Sequence, residues 1–220
     1  MPPFGDLPPV GTLRGRESRP TWFQTFCISR PQFKMHSVPK GGLTNRLLLA
    51  MLGCMQTNPI NIRPFEEQDW PQVWGMLEPV FRAGQTYAFP PQISAAEAHK
   101  AWVEAPLCTY VAEADGQVVG TYYIKPNQPG QGAHVCNCGY VVAASQRGRG
   151  IAAGMCRHSL AEARAQGFKA MQYNLVVSTN EDAIHLWIKM GFEVVGRLPK
   201  AFKHPQLGYV DALVMYQWLG

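Results

Sequence analysis

From residue 59 onward the spacing of apolar positions switches repeatedly between the strand and the helix period. Ile60-Asn-Ile-Arg-Pro64 alternates as a half-buried strand does. Trp70, Val73, Trp74, Leu77, Val80 and Phe81 then recur on one face of a helix over Glu66 to Phe81. Ser94, with Glu97 three residues on, forms a capping box that opens a second helix. Leu107 to Ala114 and Val118 to Ile124 read as strands joined by Asp115-Gly116, a hairpin signal. A strand over His134 to Ala143 leads into a helix with Ile151, Ala152, Met155, Cys156, Leu160 and Ala163 on its apolar face and Arg157, Glu162 and Arg164 outside; it stops near Gly167. A strand over Ala170 to Val177, a helix from Asn180 to Met190 ended by Gly191, and strands over Phe192 to Leu198 and Tyr209 to Trp218 complete the series. The order β-α-α-β-β-β-α-β-α-β-β predicts an α/β fold with a mixed sheet, and there is no internal repeat.

Residues 1 to 55 show no sustained period and are rich in Pro, Arg and Ser, so they are expected to be disordered, with the globular domain over 56–220. Leu47 to Leu52 is far shorter than the roughly 20 residues that span a bilayer, so no membrane span is expected. A start at Met35 would give Lys40, Arg46, the Leu run and Gly53-Cys54 a loose likeness to a lipoprotein signal. A start at Met51 or Met55, or an Arg-rich and acid-poor transit peptide, are the other readings of this segment.

Charge changes the picture less than the total suggests. The formal net charge is +5, but the first 54 residues hold seven Lys/Arg against Asp6 and Glu17, so the rest of the chain is balanced. A nucleic-acid partner is therefore not expected. Of the six cysteines, Cys136-Asn-Cys138 raises a metal question, but a zinc site needs a second ligand pair that the chain lacks. No metal is expected. Two positions apart in a strand, both cysteines would share one buried face, reduced, in a cytoplasmic protein.

Candidate chemistry centres on Ser145-Gln-Arg-Gly-Arg-Gly-Ile-Ala-Ala-Gly154, where a strand turns into a helix. A plain turn is one reading. A dinucleotide fingerprint fails, because Gly148-x-Gly150 is followed by Gly154 at four residues instead of three. In the third reading, N–H groups from Arg147 to Ala153, a helix N-terminus and arginine charge converge on a pyrophosphate.

Arg147-x-x-Gly150-x-Ala152 resembles the (Gln/Arg)-x-x-Gly-x-(Gly/Ala) pattern of the GCN5-related N-acetyltransferases. Asn180-x-x-Ala183-x-x-x-Trp187-x-x-x-Gly191-Phe192 resembles that family's Asn-x-x-Ala-x-x-x-Tyr-x-x-x-Gly-Phe helix. The resemblance covers residues 58 to 219. It implies a mostly antiparallel, splayed central sheet flanked by helices, and acetyl-CoA as co-substrate. It also implies coenzyme contacts from Val141, Val142, Arg147, Gly148, Arg149, Gly150, Ile151, Ala152, Ala153, Asn180, Ala183 and Trp187. Around His134 to Tyr140, Tyr173 to Val176 and Tyr209 to Met215 the chain is similar to the branch that acetylates azetidine-2-carboxylate and related proline analogues. That narrower resemblance implies a small-molecule amine as acceptor, with Asn137 and Asn174 at the reaction centre. Similar enzymes are often dimers, which leaves a homodimer open.

Each residue also has a plainer role. Asn137 and Asn174 could satisfy local main-chain groups, since a buried amide is costly unless bonded. Asn180 suits a helix N-cap. Trp187 replaces the tyrosine often assigned to protonate the leaving thiolate, and an indole does not ionise usefully, so it is expected to shape a wall. With no carboxylate between His134 and Ala144, the base is His134, a water chain through the amides, or none. Tyr87, Phe89 and Trp102 are expected to border the acceptor pocket, and Lys200 to His204 to form a lid or a basic loop. The rival readings are a protein N-terminal or lysine acetyltransferase and a non-catalytic coenzyme-binding module.

Overall fold

The computed structural model describes residues 60–220. The expectations for residues 1–55 lie outside the described residues. Seven strands and four α-helices follow in the order β1 (Asn61–Pro64), α1 (Trp70–Ala83), α2 (Ala95–His99), β2 (Cys108–Ala114), β3 (Gln117–Pro126), β4 (Val135–Val142), α3 (Ile151–Ala165), β5 (Ala170–Val177), α4 (Glu181–Lys189), β6 (Glu193–His204) and β7 (Gly208–Trp218). They form one sheet in the order β1-β2-β3-β4-β5-β7-β6, antiparallel throughout except between β4 and β5. The β2–β3 hairpin turns through Asp115 and Gly116 at φ 52° and 73°, as a two-residue primed turn requires.

The strands alternate their side chains between two cores. On one face Tyr122, Ile124, Cys136 and Cys138 pack beneath Ile151, Met155, Cys156 and Leu160 of α3 and Trp187 of α4. On the other, Val111, Tyr123 and Val141 meet Val73, Leu77 and Phe81 of α1 and Trp102. Burying a Leu or Phe side chain contributes about 1.5–3 kcal/mol, so these two apolar layers fix where the helices sit.

Three local departures from the sequence reading have physical causes. Helix α1 begins at Trp70, with Pro71 in its first turn, and Glu67–Asp69 forms a 3₁₀ turn before it. After α2 the chain makes a π turn over Lys100–Glu104, closed by Ala105 N–H to Lys100 O, which drives Trp102 into the core. Trp102 has no exposed surface; its Nε1 donates to Thr121 Oγ1 (3.1 Å) and its carbonyl accepts from Thr109 Oγ1 (2.7 Å). It backs the cleft wall from behind instead of bordering the pocket.

The third departure is that β6 continues through Pro199 to His204, so Lys200 to His204 is strand, not a lid or loop. An edge strand tolerates a proline because its missing N–H would face solvent. The register shifts between Leu198 and Phe202, where Lys200 sits at φ 53° and its N–H is held by Asp211 Oδ1 at 2.9 Å. Among the described residues no helix is long and apolar enough to cross a membrane.

Candidate functional site

Strands β4 and β5 run parallel but pair only at Val135 with Ala170 and Cys136 with Met171. Beyond that point they part, leaving a cleft of about 1650 Å³. At the fork Asn137 spans the opening. Its Nδ2 donates to Gln172 O of β5 (2.9 Å) and its Oδ1 accepts from Tyr123 OH (3.4 Å), so the amide does bond a main-chain group while lining the cleft. Asn174 lies in a bulge of β5, where the register with β7 shifts between Tyr173 and Val176. The bulge turns Asn174 out to the cleft. Its amide bridges Gln172 Nε2 (2.8 Å) and Asn127 Oδ1 (2.6 Å).

At one end of the cleft lies the strand-to-helix turn. Gly148 and Gly150 both have φ 76°, a left-handed conformation that side chains disfavour, and a Cβ at either would meet nothing within 4 Å. The first main-chain bond of α3 runs from Gly154 N–H to Gly150 O, and among the described residues no side chain caps the helix. The N–H groups of Ile151, Ala152 and Ala153 therefore lack helical partners beside an open concavity, with the positive end of the helix dipole behind them. Arg147, Gly148, Gly150, Ile151, Ala152 and Ala153 line the cleft; Arg149 does not, because its guanidinium turns to Gln146 Oε1. Val141 keeps its side chain in the α1-side core, so its contribution to the cleft is main chain, and Val142 lines it beside Val141. From α4, Asn180, Asp182, Ala183 and Trp187 complete this end. Asn180 stands at the N-cap position but makes no capping bond, which leaves its amide available to the cleft.

At the other end, Met76, Pro79 and Val80 of α1 meet Tyr87, Phe89, Tyr123, His204 and Leu207. Gly139 lets Tyr123 lie against β4, since a Cβ there would come within 2.7 Å of Tyr123 Cε1. The Tyr87 hydroxyl accepts from Tyr140 N–H (2.8 Å) and donates to Tyr140 O (3.0 Å), covering the edge of β4 that β5 has left. Burial raises the Tyr87 phenol well above its ordinary range, so it stays protonated and keeps both bonds. His134 is exposed, with Nδ1 on Gln131 O (3.1 Å), and does not reach the cleft. That corrects its candidacy as base. His204, by contrast, lines it, and only the alternation of Phe202 and His204 past Pro199 could have signalled this from sequence.

Beneath the cleft, hydroxyls from four strands dock α3. Tyr110 donates to Glu162 (2.9 Å), Tyr122 meets His158 Nδ1 (2.6 Å) and Tyr140 meets Ser159 Oγ (2.6 Å) and Tyr173 OH (3.1 Å). Glu162, expected on the outer face of α3, thus turns inward to the sheet. Burial holds Tyr140 and Tyr173 well above the usual phenol range and pushes the Cys156 thiol beside them up to about 11. Trp187 packs with ring centroids 5.0 Å from both Tyr140 and Tyr173, as a wall residue. Among the described residues no group of three or more metal-ligating side chains is found, and Cys108, Cys136, Cys138 and Cys156 are free thiols.

A splayed β4–β5 pair, a glycine-rich helix start at its mouth and a second helix closing the same end define a recognised class. The sequence model described as the acetyltransferase (GNAT) family matches residues 70–192. The chain belongs to that family. It is 39% identical over 102 residues to N-acetyltransferase aca1 of Schizosaccharomyces pombe, a match that covers 46% of this chain and 48% of that protein. The chain thus spans about half the length of this curated relative. Among solved structures, a GCN5-related N-acetyltransferase from Kribbella flavida is 39% identical with a TM-score of 0.69, over 72% of this chain and 97% of that one. A phosphinothricin acetyltransferase from Sinorhizobium meliloti, solved in complex with AcCoA, shares the fold at 18% identity and a TM-score of 0.65, over 73% of this chain and 89% of that one.

Proposed function

We propose that the chain transfers an acetyl group from acetyl-CoA to the amine of a small molecule, an amino or imino acid of the proline-analogue kind. The observation that carries this reading is the single cleft with an anion cradle at one end and an aromatic pocket with amide groups at the other. A site for a drug-sized ligand alone runs to roughly 300–1,000 Å³, so a cleft of about 1650 Å³ has room for a long donor and a small acceptor together.

The residues fit the donor. Unpartnered N–H groups of Ile151 to Ala153 and the Arg147 charge suit a diphosphate, and Gly148 and Gly150 leave the main chain bare for close approach. The Asn180 amide and the Ala183–Trp187 face suit the arm that follows. The donor supplies an activated acetyl thioester. In the transfer a C–N bond forms as the C–S bond breaks, the amine nitrogen loses a proton and the sulfur gains one.

The chain's contribution is positioning and polarity. Among the described residues Asp182 of α4 is the only carboxylate side chain on the cleft, so none of them at the acceptor end would hold the amine as an ammonium. Asn137 and Asn174 place amide dipoles between the two ends. A thiol near the ordinary value of about 8.5 departs without an obligatory acid, which suits the tryptophan at 187. Free, mostly buried thiols suit a reducing, cytoplasmic setting.

The test is incubation with acetyl-CoA and a panel of proline analogues, lysine peptides and N-terminal peptides, with free thiol as the readout. Thiol release with the small ring amines is expected. Release only with peptides would transfer the reading to a protein acceptor, and tight coenzyme binding with no release from any amine would make the chain a binding module.

A further inference from the structure

His204 is 8% exposed at the end of β6 and, among the described residues, is the only histidine that lines the cleft. Its Nδ1 accepts two main-chain N–H groups, from Gln206 (3.2 Å) and Leu207 (3.3 Å). A nitrogen that accepts carries the lone pair, so the neutral ring holds its proton on Nε2. That Nε2 has no partner among the described residues. Gln217 Oε1 is the one fully enclosed side-chain polar atom left unbonded there, so Nε2 of His204 is not sealed away, and His204 is a residue of the cleft lining.

The other polar side chains of the acceptor end are already engaged. Tyr87 OH holds Tyr140, Tyr123 OH holds Asn137, and the Asn137 and Asn174 amides bridge to Gln172 and Asn127. Gln85 Nε2 reaches Gln206 Oε1 (3.4 Å), tying the His204 turn to the loop that carries Tyr87 and Phe89. Apart from the Thr86 hydroxyl and the second N–H of each side-chain amide, the acceptor end among the described residues therefore presents one donor with no partner, Nε2–H of His204, fixed in direction by its own turn. With its lone-pair nitrogen occupied, the ring faces the cleft as a hydrogen-bond donor and not as a base.

We propose that His204 recognises the carboxylate of the acceptor through Nε2–H and so selects amino or imino acids over amines that lack an acid group. This rests on the small-molecule reading above and names the part of the site that enforces it. A hydrogen bond to a charged group is among the stronger ones in proteins. Selection through it should show in the acceptor's KM and leave the donor end untouched.

The experiment compares azetidine-2-carboxylate with its carboxamide, by thiol release, in the unmodified chain and in His204→Phe and His204→Gln. The unmodified chain should prefer the acid. His204→Phe should raise KM for the acid about tenfold or more, change the amide little and leave acetyl-CoA affinity unaltered. His204→Gln, whose Nε2 also donates, should recover much of the preference. Equal losses for acid and amide in His204→Phe, or a preference that survives it, would overturn the proposal. Should no amine be acetylated at all, the reading of function fails separately, and His204 is then judged by the ¹⁵N signal of its Nε2 on titration with azetidine-2-carboxylate. A shift with the acid and none with the amide supports carboxylate recognition; no shift with either overturns it.

Discussion

At the Gly150 end the cleft offers main-chain N–H groups from one continuous segment, whereas at the Tyr87 end it offers side chains drawn from α1, the loop after it, β3, β4, β5 and the β6–β7 turn. The first end needs glycine and a helix start; almost any side chain that keeps the backbone bare would serve elsewhere in the segment. The second needs particular side chains held at particular angles by other side chains. Donor binding should therefore tolerate changes of side chain but not of backbone or charge, and acceptor handling the reverse.

The largest effect should come from the support of the acceptor wall. Trp102 packs at 5.6 Å from Tyr87 and 4.9 Å from Tyr123 between ring centroids. Trp102→Ala should cost about 3–5 kcal/mol in denaturant unfolding. A loss under about 1 kcal/mol would break the claim that this wall stands on the core behind it.

At the other end, Gly150→Asp should weaken acetyl-CoA binding about 100-fold, because a like charge at contact distance opposes the diphosphate by a few kcal/mol even at an effective dielectric near 20. Gly150→Ala brings the same strain of a side chain at φ 76° without the charge, so it should lose less than Gly150→Asp, separating charge from backbone strain. Asn137→Ala should lower kcat/KM roughly tenfold with coenzyme affinity kept, from one lost polar contact and an unpaired Gln172 carbonyl. The opposite order of effects would move Asn137 to the donor side.

A smaller effect belongs to pH. The Cys156 thiol is held protonated by burial, at about 11 in the fold against about 9 when unfolded. The folded state thus binds more protons over that window, so the stability this confers is complete below pH 9 and disappears as pH rises towards 11. Unfolding curves should show a decline there that is shallower in Cys156→Ala. The smallest change is expected for Arg149→Ala, under about twofold in coenzyme affinity, because an exposed ion off the cleft contributes little. A tenfold loss would return Arg149 to the cradle.

The same contrast explains what could be read before the fold was known. The order of elements and the lining at the Gly150 end of the cleft were legible because main-chain features leave their mark in consecutive residues: Arg147, Gly148, Gly150 and the Asn180 helix lie in two short stretches. Arg149 was legible only as charge, and its turn towards Gln146 depends on a side-chain rotamer that spacing does not encode. The lining at the Tyr87 end was legible in part. Tyr87 and Phe89 were found as aromatic loop residues, but the same reasoning included Trp102, which the π turn carries into the core. His134 faces solvent instead of the cleft, while His204 went unread as a cleft residue because Pro199 reads as a strand breaker, and only the edge position of β6 lets the alternation run on to His204.

The most direct measurement is an amide ¹⁵N spectrum of the chain titrated with acetyl-CoA. The N–H groups of Arg147 to Ala153 should show the largest displacements of the whole spectrum, of the downfield kind that strong hydrogen bonds to phosphate produce, and in Gly150→Asp they should need about 100-fold more acetyl-CoA to develop. Saturating coenzyme with those amides unmoved would contradict a main-chain grip on the diphosphate.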